Sequence, residues 1–415
     1  MAQEISTPSI SNTEEKYRNT ASLISSAGST FETAHIEGVM ALYVEPHQGR
    51  IVKMPNSQTT IVDFVRCSYL GLDNHPAIVE GAIRGIKDAK ALHWSCARTR
   101  LNFSALGTLE ETLSSLFNAR VITYTTVLAA NMSALPLLAS GHLTEGVKPV
   151  VVFDRLAHAT LAYHKATVAE ETLVKTIAHN DIHHLEQICM QNACVAYVCD
   201  GVYSMGGNAP IQELLRLQYQ YGLFLYIDDA HGISLFGENG EGFAKSQIPD
   251  LGSRTIIAAS LGKGFGASGG ILMLGTALQE ILFRRFSIAH AFSASLNTAA
   301  IGAAMASAQL HQTQELVLRQ NTLQKRIEKF DQLMETPDAD RTKLPIRTII
   351  LGDETASIAA ARHLLLNGCY TSAIFFPTVA RGKAGLRVCM TASHTEQQIQ
   401  ELCDAIIAIK VSSFK

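Results

Sequence analysis

Unbroken apolar runs, rather than alternating ones, dominate the middle of the chain. They fall at VITYTT (121–126), PVVVFD (149–154), CVAYVCDGVY (194–203), LFLYIDD (223–229), TIIAAS (255–260) and ILMLG (271–275). A strand covered on both faces has no solvent side to carry polar residues, so it reads as a continuous run. Between the first four runs lie stretches predicted as helices near 129–140, 158–169, 181–192 and 210–221, the last carrying Ile211, Leu214, Leu215 and Leu217. Strands separated by helices predict a mainly parallel sheet with right-handed crossovers, an α/β architecture.

The rhythm changes after residue 305. ELVLRQNTLQKRIEKFDQLME (315–335) is a long charged amphipathic helix expected to join two domains. A strand near 345–351, a helix near 355–366 closed by Gly368, and strands near 370–376 and 385–391 follow. A last helix, 395–409, opens with Thr395 and Gln398 in capping-box spacing. Its stripe Ile399, Leu402, Cys403, Ile406, Ile407 keeps helical spacing. The pattern divides the chain into an N-terminal segment (1–62), a large domain (63–305) and a smaller C-terminal α/β domain (306–415). The first 60 residues read as turn-rich, packing on the rest without a core of their own.

Composition narrows the classes. The 415 residues are 47% hydrophobic and 17% charged, with a net charge of −3, so no basic footprint for nucleic acid exists. The polar, acid-bearing first twenty residues make no signal peptide. No run approaches the roughly 18–20 apolar residues that span a bilayer. Eight cysteines without a C-x-x-C pair argue against a zinc site and a secreted disulfide framework, and for reduced thiols in the cytoplasm. The adjacent His183 and His184 of HNDIHH cannot share a helix face, so no metal site is expected there.

AASLGKGFGASGG (258–270) sets Lys263 among glycines. A P-loop would need a hydroxyl residue after the lysine, and Gly264 stands there. Gly264–Gly269 spells G-x-G-x-x-G, which leaves a remote NAD-binding alternative, but a β-favouring run follows where that motif needs a helix. The third use of such a lysine is Schiff-base formation with a carbonyl. The glycines are expected to leave Lys263 room to swing.

Polar residues at the ends of successive runs converge on that use. Thr126, Val127, Leu128 and Asn131 follow the first; then come Asp154 and His158, Ser204, Asp228 and His231, and Ser260 with Lys263. Ligands of open parallel sheets bind beyond the carboxyl ends of the strands. Lys263 could hold an aldehyde cofactor, Asp228 could keep a pyridine nitrogen protonated, and His231 could hydrogen-bond a phenolic oxygen. His158 could stack on the ring, while Ser260 and the backbone amides after Thr126, at a helix start, could take a phosphate. Taken singly, Asp228 is equally a helix cap, His231 a hydrogen-bonded core histidine and His158 a helix-start residue.

DRLAHATL (154–161), AHND (178–181), YIDDAHG (226–232), GENGEG (237–242) and SLGKGFGASGG (260–270) resemble the α-oxoamine synthases. These are a branch of the fold-type-I pyridoxal-phosphate enzymes with the aspartate-aminotransferase-like fold. The resemblance runs from about 69 to 399. It implies pyridoxal 5'-phosphate as cofactor, Lys263 as its Schiff-base lysine, and Asp228, His231 and His158 as partners of the ring. It further implies cofactor-binding hydroxyls at Ser204 and Ser260, a phosphate contact from Ser293 of a second subunit, and Arg387 as the grip on the amino-acid carboxylate.

Some positions depart from that pattern. Thr126-Val127-Leu128 lacks the usual glycine and aromatic, SMGG (204–207) lacks an aspartate, Asp200 stands where glutamate is common, and SLNT (295–298) lacks a double proline. WSCARTRLNFSALGTLEE (94–111) keeps neither the glycine run nor the histidine before LE, and Phe375 stands where some members carry arginine. The resemblance implies decarboxylative condensation of an acyl-CoA or other acyl thioester with an amino acid to an α-amino ketone, by a homodimer with a shared active site. An aminotransferase or amino-acid lyase is the alternative within the fold.

Overall fold

The computed structural model describes residues 20–337 and 342–412. A seven-stranded sheet forms its centre, in the order Arg120–Tyr124, Gly270–Leu274, Thr255–Ser260, Phe224–Asp228, Val195–Asp200, Val150–Asp154, Val174–Ile177. Gly270–Leu274 runs antiparallel to both neighbours, and the remaining pairings are parallel. All six expected strands are present within a few residues of their apolar runs. The edge strand Val174–Ile177 was not foreseen.

Helices cover both faces, which is why the inner strands could be apolar throughout. Every residue of Val195–Asp200, Phe224–Asp228, Thr255–Ser260 and Gly270–Leu274 is buried. One face packs against Ser104–Phe117, Ile182–Gln191, Ile211–Tyr221 and Thr298–His311, the other against Val127–Ala139 and Ala277–Phe286. The helix expected over 158–169 divides into Ala159–Ala162 and Lys165–Ala169, with His164 between them.

The 20-residue helix Gln314–Leu333 leads to an antiparallel sheet ordered Ile346–Gly352, Ala384–Cys389, Ser372–Ile374. The expected strand near 370–376 divides into Cys369–Tyr370 and Ser372–Ile374. The first pairs with Thr60–Asp63 in a separate small sheet and the second with Ala384–Cys389. Thr395 and Gln398 form the expected reciprocal cap on Glu396–Ser412, at 3.0 and 3.1 Å.

The N-terminal expectation needs correction. Residues Thr20–Ile36 form a helix of 17 residues, and Glu45–Gln48, Ile51–Lys53 and Thr60–Asp63 form strands. The helix escaped notice because it is rich in serine and threonine and buries only Ala27 and Ala34. Residues 1–19 lie outside the described range.

Candidate active site

Asp154, Asp200, Asp228 and Ser260 are the last residues of four neighbouring parallel strands, so the topology brings them to one edge of the sheet. A parallel ladder points every carboxyl end the same way, and the loops beyond it supply the remaining groups. Lys263 Nζ lies 2.8 Å from His231 Nε2, and His231 Nδ1 lies 2.6 Å from Tyr69 Oη. Asp228 accepts from Asn131 Nδ2 at 3.0 Å and from the Ala230 amide at 3.1 Å. Asn131 is held in turn by the Tyr226 hydroxyl at 2.7 Å, and its Nδ2 also lies 3.2 Å from Thr160 Oγ1. Thr160 Oγ1 lies 2.8 Å from His158 Nδ1, and the His158 amide donates to Asp200 at 3.0 Å.

Arg387 reaches this group from the C-terminal sheet. Its Nε donates to the Ser204 carbonyl at 2.7 Å and its Nη2 lies 3.7 Å from Cys67 Sγ. Ser204 therefore meets Arg387 through its backbone. The Ser260 hydroxyl accepts from the Gly262 amide at 3.3 Å. Thr126 caps the helix Val127–Ala139, its Oγ1 accepting from the Ala129 amide at 3.1 Å, so Val127 and Leu128 form the first turn. The Ser293 hydroxyl donates to the Ala294 carbonyl at 3.3 Å. Asp154 is occupied structurally, by the Tyr197 hydroxyl and the Asn180 and Leu156 amides. His183 and His184 are exposed, and among the described residues no cluster of metal-ligating side chains forms.

Burial shapes the electrostatics. Desolvation, reinforced by Lys263, Arg387 and His158, pushes the His231 imidazole well below its ordinary value, so it stays neutral. His158 is lowered by burial as well, with Asp228 acting in the opposite sense. Burial also lowers the Lys263 ammonium, and the Arg387 charge adds to that, against the pull of Cys67, Asp228 and Asp200. Asp200 is raised well above the carboxylate range by burial and by the Asp228 charge.

The glycines have a different task from the one expected. A Cβ on Gly270 would stand 2.4 Å from the Thr126 carbonyl carbon and the Val127 nitrogen. A Cβ on Gly266, at φ +73°, would stand 2.3 Å from Leu72 Cβ. They permit close approach of the Lys263 loop to its neighbours, above all to the start of Val127–Ala139. Of the glycines in this loop, Gly262 alone would take a Cβ at ordinary contact distance, its nearest neighbour being Ser260 Oγ at 3.7 Å.

These residues fit a pyridoxal phosphate. A helix N-terminus suits a phosphate, a buried carboxylate held by neutral donors suits a cationic ring nitrogen, and a lysine with a depressed ammonium suits an aldehyde. Sequence reasoning did not assign Tyr69, Cys67 or the anchoring role of Asn131. Tyr69 stands 162 positions from His231, and no local spacing announces such a contact.

Comparison with known proteins agrees. Residues 68–406 match the family described as aminotransferase class I and II. The chain belongs to that family and, within it, to the α-oxoamine synthases, pyridoxal-phosphate-dependent acyltransferases. It is 30% identical over 367 residues to 8-amino-7-oxononanoate synthase of Marinomonas sp. (strain MWYL1), covering 85% of this chain and 88% of that one. Its fold matches serine palmitoyltransferase from S. paucimobilis with a TM-score of 0.81 at 19% identity, over 95% of this chain and 100% of that one. It also matches 8-amino-7-oxononanoate synthase from Francisella tularensis with a TM-score of 0.70 at 19% identity, over 86% and 99%. Among the described residues no helix is long and apolar enough to cross a membrane.

Proposed function

We propose that this chain condenses an acyl thioester, such as an acyl-CoA, with an amino acid and releases carbon dioxide to leave an α-amino ketone. The observation that carries this reading is the meeting of Lys263, His231, Asp228 and Arg387 at one sheet edge: an amine, an acceptor, an acid and a carboxylate grip. When bound, pyridoxal 5'-phosphate supplies an aldehyde that takes the substrate amine and a ring that draws electrons from the adjacent carbon.

The residues then divide the work. Lys263 would hold the cofactor and would take the α-proton of the amino acid; burial lowers its ammonium, which favours the free base. Asp228, pinned by Asn131, would hold its carboxylate to the ring nitrogen. His231 would hydrogen-bond the phenolic oxygen, and His158 would stack on the ring. Ser204 and Ser260 offer hydroxyls to the cofactor, and the first turn at Thr126, Val127 and Leu128 receives the phosphate. Ser293 completes the phosphate site from the other subunit of a homodimer. Arg387 binds the amino-acid carboxylate bidentately, which its planar fork favours over a lysine.

The chain resembles 8-amino-7-oxononanoate synthase over 85% of its length, which supports the acyl-transfer reading over transamination. A panel of acyl-CoAs crossed with amino acids tests it. Thiol and carbon dioxide should appear together and only when both substrates are present. Amino-group transfer to an oxo acid without thiol release would replace the reading with an aminotransferase.

A further inference from the structure

Asp228, Asn131, Thr160 and His158 form a hydrogen-bonded line, of which Thr160 has no part in the reaction as described. Asn131 is 0% exposed and Asp228 3%. The Tyr226 hydroxyl donates to Asn131 Oδ1 at 2.7 Å, while Asn131 Nδ2 lies 3.0 Å from Asp228 Oδ2 and 3.2 Å from Thr160 Oγ1. Thr160 Oγ1 lies in turn 2.8 Å from His158 Nδ1, and the Thr160 backbone amide donates to the same nitrogen at 3.3 Å.

We infer that Thr160 is a positioning residue, which holds His158 in its Nε2–H tautomer and so offers an N–H donor to the ligand. A count of protons along the line carries this. The Asp228 carboxylate can only accept, so the nitrogen of the Asn131 amide faces it and the oxygen faces Tyr226. The second proton of that nitrogen goes to Thr160 Oγ1, which is thereby an acceptor. A hydroxyl has one proton of its own, and that of Thr160 is left for His158 Nδ1.

The Thr160 amide gives the same answer independently, because a backbone N–H can only donate. Two donors at one nitrogen leave no place for a proton there, and a neutral imidazole with a bare Nδ1 carries its proton on Nε2. In the opposite tautomer an N–H would face an N–H, and the Thr160 hydroxyl would have no acceptor among the described residues. Burial lowers the imidazole, so the neutral ring is the form that the site holds. No hydrogen-bond acceptor meets Nε2 among the described residues, so its proton is available to an oxygen of the amino acid or of the acyl group. One amide, Asn131, thereby orients both the acid assigned to the ring nitrogen and the hydroxyl that sets the histidine beside it.

The inference rests on His158 belonging to the cofactor site proposed above, but its test needs no turnover. In the full-length protein loaded with pyridoxal phosphate and labelled with ¹⁵N-histidine, His158 (assigned by comparison with His158→Gln) should show a protonated Nε2 and a bare Nδ1. Thr160→Val keeps the shape and the backbone amide but removes the hydroxyl, so the Nδ1 resonance should move toward that of an imidazole nitrogen free of hydrogen bonds. Thr160→Ser, which keeps the hydroxyl, should hold it in place. An Nδ1–H tautomer in the unsubstituted protein overturns the inference. So does an Nδ1 resonance indifferent to Thr160→Val, or one that moves as far in Thr160→Ser. Failure of the cofactor reading would show separately, as a lysine other than Lys263 carrying the reduced cofactor.

Discussion

Asn131 Nδ2 donates to Asp228 Oδ2 at 3.0 Å, and among the described residues the other donor to that carboxylate is the Ala230 amide at 3.1 Å. Both are neutral, so the acid is oriented without being neutralised, and its charge remains free for a cation brought by a ligand. Preorganised charge of this kind needs no rearrangement when the reaction demands it.

Asp228→Asn should therefore lower kcat by roughly 10²-fold or more while the protein still binds its cofactor. The loss should appear in the chemical step and leave the acyl-thioester KM nearly unchanged. Steady-state kinetics check this, and activity within a few-fold of the parent would reduce Asp228 to a structural cap.

Asn131→Asp keeps the shape but sets a second carboxylate against Asp228 and removes the donor. Two acids at hydrogen-bonding distance cannot both remain charged at low cost, so one takes up a proton. Activity should fall by about the same order as in Asp228→Asn, and the double variant should be little worse than either single one. Full additivity would mean that the two residues act independently.

The apolar runs and the chemistry at their ends were legible because a parallel sheet leaves both marks in the sequence. Strands buried on two faces are unbroken apolar runs, and their last residues, such as Asp228 and Ser260, share one edge. Val174–Ile177 was not legible: it lies at the sheet edge, is four residues long and has a half-exposed interior. The Lys263 loop stands out in the sequence but the close packing of its glycines does not, because the approach of Gly270 to Thr126 depends on a fold that local sequence does not contain. The reach of Arg387 to the Ser204 carbonyl, 183 positions away, was invisible for the same reason.

Arg387→Lys should raise the amino-acid KM strongly and leave the acyl-CoA KM and the cofactor spectrum almost unchanged. A lysine keeps the charge but loses the fork and the Nε bond to Ser204. Normal amino-acid binding with impaired acyl-CoA binding would assign the arginine to the thioester partner.

Two buried histidines make stability acid-sensitive. His311 is lowered to about 4, chiefly by burial, and His394 to about 3 for the same reason. Unfolded, each titrates near 6.5, so the stability held by their neutral forms is complete above about 6.5 and is lost as pH falls toward the folded values. Each contributes a slope of about 1.4 kcal/mol per pH unit within that window. The thermal midpoint should fall steadily from about pH 6.5 downward, before most carboxylates protonate. His311→Gln, which can still meet Ser307 and Ser234, should flatten that decline whatever its effect on the midpoint itself. An unchanged slope would show that His311 takes its proton without unfolding.

The central claim is that Lys263 carries pyridoxal phosphate. Borohydride should abolish the visible absorption of the cofactor-loaded protein, and digestion followed by mass spectrometry should place the phosphopyridoxyl group on the peptide containing Lys263. Lys263→Ala should show neither the adduct nor turnover, and arginine should not rescue it, because a guanidinium forms no imine and is no base at neutral pH. An adduct on another lysine, or turnover surviving in Lys263→Ala, would contradict the account.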